Sequence, residues 1–198
     1  VSDGRSIVET GCAETDFETA CRLVHVEQDH IVNANGMVMT PGYVDIHSHG
    51  AWGSSFDDGE KGITTARAGH MAHGTTRQVL SLITNPIDVI CGNLKTVHDM
   101  MPDRPDILGA HLEGPFLAMP RKGAHDPNCL VDPTPDLVSR MLDAADGCLR
   151  QITIAPELPH GIDAIRRFFL AGVVPAVGHC DADYQTARKG FDAGAGIM

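Results

Sequence analysis

From residue 41 onward, apolar runs of strand length alternate with runs of helical periodicity, and this alternation restricts the fold more than any other feature of the chain. "YVDIH" (43–47), "TTRQVLSLI" (75–83), "ILGAHL" (107–112), "QITIAP" (151–156) and "VVPAVGH" (173–179) read as strands, rich in β-branched and apolar residues. Residues 61–73 read as a helix that stops at Gly74. Asn85-Pro86 and Thr134-Pro135 each read as an N-cap followed by proline at the first helical position. Ile162, Ile165 and Phe169, then Tyr184, Ala187 and Phe191, mark two more helices, and "GAGIM" (194–198) starts a sixth strand. Strand and helix in turn, with short connections, predict parallel strands and right-handed crossovers.

A doubly wound sheet and a (β/α)8 barrel both satisfy that order. No GxGxxG follows the first strand, which weakens a dinucleotide-binding sheet. The placement of polar residues favours the barrel. His47 and His49, Glu113 and His179 all fall at the C-terminal ends of their strands, and in a barrel those ends converge on one mouth. With period-two alternation, His47 and His49 share a face. A glutamate after an apolar strand is costly unless paired or bound to a cation. Three imidazoles and one carboxylate suit zinc or another divalent transition metal, and such a site supports hydrolysis by activating water.

The loop "EGPFLAMPRKGAHDPN" (113–128) offers Lys122 and His125 either to an anionic or hydroxyl-rich ligand or simply to solvent. His25, His30, His70, His73, His98 and His160 fall on helix or loop positions and read as surface histidines. Cys180 neighbours His179 and so points the other way, with no metal role. The six cysteines form no CxxC pair, which fits reduced thiols in the cytoplasm. A net charge of −11 argues against a nucleic-acid surface and against anionic membranes. No apolar run reaches spanning length, and "VSDGRSIVETG" has no charged-then-apolar leader.

Several motifs carry a family resemblance. "NANGMVMTPGYVDIHSHG", "AHGTTRQVLSLIT", "GAHLEGPFL", "KGAHDPN", "ITIAPE" and "VGHCDA" resemble, in order, those of the N-acetylglucosamine-6-phosphate deacetylases of the amidohydrolase superfamily. The resemblance implies an α/β fold: a metal-dependent-hydrolase-type (β/α)8 TIM barrel, here incomplete at about five and a half β/α units. It places part of a small β-sandwich domain at 1–40 and the N-terminal portion of the barrel at 41–198. Asn35-Gly36 reads as a hairpin turn within the first part.

The resemblance further implies cleavage of the N-acetyl amide of N-acetylglucosamine 6-phosphate, giving glucosamine 6-phosphate and acetate. It assigns Glu113 and His179 as metal ligands, His47 and His49 as the pair holding a second metal in some members, and Glu113 as the bridge between ions. Ala124 and His125 match a substrate-contacting pair. One or two divalent ions are implied, zinc first and iron as the alternative, and a homodimer in the full-length form. A further metal-binding histidine and the catalytic aspartate are expected beyond Met198, so no catalytic residue is assigned within the chain. The competing readings are another amidohydrolase, acting on a cyclic amide or N-acyl amino acid, and a non-catalytic metal-binding fragment.

Overall fold

A computed structural model of the chain describes residues 14–23 and 31–198. The chain divides into two compact units, 1–41 and 42–198. In the first, helix α1 spans Glu14–Leu23. At Asn35 and Gly36 both φ angles are positive, and the Met37 amide donates to the Ala34 carbonyl at 2.9 Å. This is the expected tight turn, but residues 31–42 carry no paired strand on either side of it. The rest of the expected β-sandwich portion, 1–13 and 24–30 with His25 and His30, lies outside the described residues.

The second unit is a parallel sheet wrapped by helices. Strand β1 (Tyr43–Asp45) leads into a small antiparallel hairpin, β2 (Gly50–Ala51) and β3 (Ser54–Ser55). Then follow α2 (Gly59–Met71), β4 (Thr75–Ile83), α3 (Ile87–Met100), β5 (Ile107–Glu113) and α4 (Pro135–Ala145). The series continues with β6 (Leu149–Ile154), α5 (Gly161–Leu170), β7 (Val174–Val177) and α6 (Tyr184–Asp192). The five strands stand in the order β1-β4-β5-β6-β7, every pair parallel. A parallel bridge from Ala176 to Ile197 begins a sixth. Sequential neighbours, each joined through a helix, form the curled half-barrel anticipated from the alternation.

Period-two alternation divides the sheet into two faces. Leu80 and Leu82, Ala110 and Leu112, Ile152 and Ile154 join a core with Ile90, Leu94, Met141, Ile165 and Phe168 of the helices. The alternate positions Ser81, His111, Glu113, Gln151 and Thr153 are polar and also buried. Burying that many polar groups is tolerable only where they find partners, so this face is chemically committed in a way the apolar face is not.

Local signals explain most boundaries. Thr134 caps α4, its hydroxyl accepting from the Leu137 amide, with Pro135 in the first turn. Asn85 does not cap α3: Pro86 occupies that position, and the Asn85 amide group donates to Asp57 instead. Strand β1 ends at Asp45, two residues short of the expected end, because the Asp45 carboxylate accepts the His47 amide and turns the chain.

At the end of β5, Gly114 has φ +91°, and a Cβ there would lie 2.2 Å from the Thr84 hydroxyl oxygen and 3.1 Å from Leu117 Cγ. That hydroxyl donates to the Glu113 carbonyl at 3.1 Å, so it has no free direction in which to yield. Gly114→Ala is therefore expected to lower stability by about 1–3 kcal/mol, from a strained backbone plus a broken buried bond. Urea-unfolding midpoints of the two proteins check this.

Candidate metal centre

Glu113 ends β5 with its side chain on the polar face, 7% exposed. Ile83 of β4 and Thr153 of β6 stand beside it in register. Among the described residues, four imidazoles face its carboxylate. His49 Nε2 lies 2.5 Å and His47 Nε2 3.3 Å from Oε2, His179 Nε2 lies 2.8 Å from Oε1, and His125 Nε2 lies 3.9 Å from Oε2. The donor atoms fall into two sets, His47–His49–Glu113 and Glu113–His125–His179, each within 4.8 Å of one another, and Glu113 belongs to both.

His47 and His49 thus converge although they sit on a turn rather than a strand, with ring centroids 5.4 Å apart. His179 follows β7 in left-handed backbone conformation, φ 49°. The loop after β5 folds back against it. The Ala118 amide donates to the His179 carbonyl at 2.9 Å, and His179 Nδ1 donates to the Arg121 carbonyl at 2.8 Å. His125, buried on the same loop, accepts the Thr84 amide at Nδ1. Ala124 beside it is exposed. Lys122 turns back to the carbonyls of Gly123 and His125, at 3.1 and 3.4 Å.

One carboxylate cannot neutralise several imidazolium rings. Burial raises the pKa of Glu113, but the hydrogen bonds from His49 and His179 and the nearby His49 and His47 charges outweigh it, holding the carboxyl well below its usual range. The hydrogen bond to Glu113 raises His49 against the opposing effect of burial, whereas burial lowers His125. His49 Nδ1 is buried without a hydrogen-bond partner. Clustered imidazole nitrogens around an ionised, shared carboxylate suit a divalent transition cation, and a cation there would replace the protons.

His111 was not foreseen among the candidate residues. It lies two positions before Glu113 on β5 and is fully buried on the same face. Its Nδ1 and Nε2 each stand 2.8 Å from a hydroxyl, of Ser81 and Thr153 respectively. Burial lowers its pKa to about 3, keeping it neutral. The period-two rule was the available signal. His70, expected at the surface, is half-buried: its Nε2 donates to the Gly50 carbonyl at 3.1 Å, and Asp45 lies 3.7 Å from Nδ1. Cys180 packs against the core and takes no part in either donor set.

A curled parallel sheet that gathers histidines and a glutamate at its strand ends has the architecture of an amidohydrolase-type TIM barrel, present here in part. No family model matches the chain. It is 27% identical over 179 residues to N-acetylglucosamine-6-phosphate deacetylase of Lysinibacillus sphaericus, covering 87% of this chain and 46% of that protein. It is 28% identical over 169 residues to N-acetylgalactosamine-6-phosphate deacetylase of Escherichia coli O157:H7, covering 83% and 45%. It matches the crystal structure of N-acetyl-D-glucosamine-6-phosphate deacetylase from Mycobacterium smegmatis with a TM-score of 0.76 at 41% identity, over 78% of this chain and 41% of that one. The chain spans somewhat under half the length of these relatives. Over that shared part it is similar to N-acetylglucosamine-6-phosphate deacetylases.

The metal-free protein should lose stability on mild acidification. His111 and His125 have folded pKa values below the unfolded histidine value of 6.5. The unfolded state therefore binds more protons as pH falls below about 6.5, and the stability these neutral rings contribute above that pH is progressively lost. His49, raised in the folded state, acts in the opposite sense and loses its contribution as pH rises through its folded value. Between pH 6.5 and 5, before most carboxylates titrate, urea midpoints of the metal-free chain should fall, and His111→Asn should flatten that slope.

Proposed function

We propose that this chain carries the metal-holding part of an enzyme that hydrolyses the N-acetyl amide of N-acetylglucosamine 6-phosphate, releasing glucosamine 6-phosphate and acetate. The observation that supports it most is Glu113, an ionised carboxylate at the strand-end mouth that faces His47 and His49 through Oε2 and His179 through Oε1. The proposed ligands are His47, His49, Glu113 and His179, holding one or two ions, zinc first and iron as the alternative. A bound divalent cation polarises the amide carbonyl and lowers the pKa of water to about 7.

The hydrogen bonds divide the labour between the imidazoles of His179 and His125. His179 donates its Nδ1 proton to the Arg121 carbonyl, so in the neutral ring the lone pair sits on Nε2, where a cation would take the place of the proton shared with Glu113. His125 accepts a backbone amide at Nδ1, so its single proton in the neutral form sits on Nε2. A protonated nitrogen does not ligate a metal, but it can donate to a carbonyl or hydroxyl of the substrate. His125 is accordingly proposed, with the adjacent Ala124, as a substrate contact. None of these residues is proposed as the general base, a role left to an aspartate beyond Met198. No helix among the described residues is long and apolar enough to cross a membrane. A cytoplasmic homodimer acting on a phosphorylated amino sugar completes the proposal.

Two measurements test it. After dialysis against zinc, Glu113→Ala and His179→Ala should each retain little of the metal that the parent chain holds, with circular dichroism confirming that they fold; full retention in both removes the ligand assignment. Hydrolysis by the full-length protein, followed as acetate release from N-acetylglucosamine 6-phosphate and its galacto epimer and as ring opening of a hydantoin, should be fastest on N-acetylglucosamine 6-phosphate. Preference for either alternative contradicts the proposed substrate.

A further inference from the structure

We infer that His111 is a positioning residue: by accepting the Ser81 hydroxyl at Nδ1, it fixes the Ser48 peptide and so holds the His47–His49 pair against Glu113. This rests on the reading that the cluster binds a divalent cation. Ser48 is the residue between the two histidines, and Ser81 grips it from both sides. The Ser48 amide donates to Ser81 Oγ at 3.2 Å, and the Ser81 amide donates to the Ser48 carbonyl at 3.2 Å.

A serine hydroxyl has one proton. With its oxygen accepting from Ser48, that proton is free to go to His111 Nδ1, 2.8 Å away. The His111 proton then sits on Nε2 and is donated to Thr153 Oγ1, also 2.8 Å away. The relay crosses β4, β5 and β6. Ser81 and His111 are both fully buried, so solvent cannot exchange with these bonds. The His111 ring also meets the His47 ring edge-on, with centroids 4.8 Å apart. The other half of the cluster is held by different groups: His179 by the Arg121 carbonyl and His125 by the Thr84 amide. Disturbing His111 should therefore loosen one half only.

The two polar ends of the imidazole can be separated chemically. In His111→Asn an amide oxygen stands near the place of Nδ1 and can accept from Ser81. In His111→Gln the amide group reaches instead toward Thr153. Cobalt(II) titration of the 198-residue chain, read by its visible absorption, compares these with Ser81→Ala, with His49→Ala as the signature of a lost pair and His179→Ala as the signature of the other half. His111→Gln and Ser81→Ala should bind about tenfold or more weakly and show the His49→Ala spectrum. His111→Asn should stay near the parent, and Ser81→Ala combined with His111→Gln should cost no more than either alone. Equal behaviour of the Asn and Gln variants, or a spectrum resembling His179→Ala, overturns the positioning role. If instead His49→Ala and His179→Ala both bind cobalt like the parent, it is the metal reading that fails.

Discussion

A carboxylate buried at the end of a central strand organises this molecule. Ionised Glu113 loses much of its hydration at the mouth of the sheet, and on its own that loss would be prohibitive. Hydrogen bonds from His49 and His179 and the charge of His47 more than offset it. The imidazoles arrive from three elements: His47 and His49 from the turn after β1, His125 from the loop after β5, and His179 from the residues after β7. Parallel strands make this possible, because every C-terminal end opens on the same side. The register that places Ile83, Glu113 and Thr153 side by side is thus a requirement of the site as much as of the sheet.

Beneath the carboxylate, the polar face of the sheet continues the same logic. Ser81, His111 and Thr153 satisfy one another through hydroxyl-to-imidazole bonds. The apolar face pays no comparable polar cost and is filled by leucine and isoleucine against α3, α4 and α5. One face therefore supplies burial energy, while the other spends part of it on oriented polar groups. The loop after β5 extends the orientation outward, with Arg121 directing His179 through a carbonyl and Thr84 directing His125 through an amide.

Much of this was legible from residue order. The strand at 75–83 and the cap at Thr134 follow from β-branched composition and from a serine-like side chain before proline, both local signals. The convergence of His47, His49, Glu113 and His179 follows from their shared position at strand ends. What was not legible depended on distant partners. Asn85 looks like a cap until Asp57 is seen to recruit it across the turn after β3. His70 looks like a surface ring until the Gly50 carbonyl is placed beside it. His111 carried a usable period-two signal, but its value lies in hydroxyls 30 and 42 residues away. The helix Glu14–Leu23 stands where short strands and turns were expected, although Phe17, Ala20 and Cys21 fall at helical spacing within it.

A crystal of the chain grown with zinc, with anomalous differences measured at the zinc edge, addresses the shared carboxylate most directly. A peak at about 2.0–2.2 Å from a Glu113 oxygen and from Nε2 of His179 or of the His47–His49 pair is the expected result. Zinc bound only elsewhere, with Glu113 still bonded to histidines alone, would contradict it.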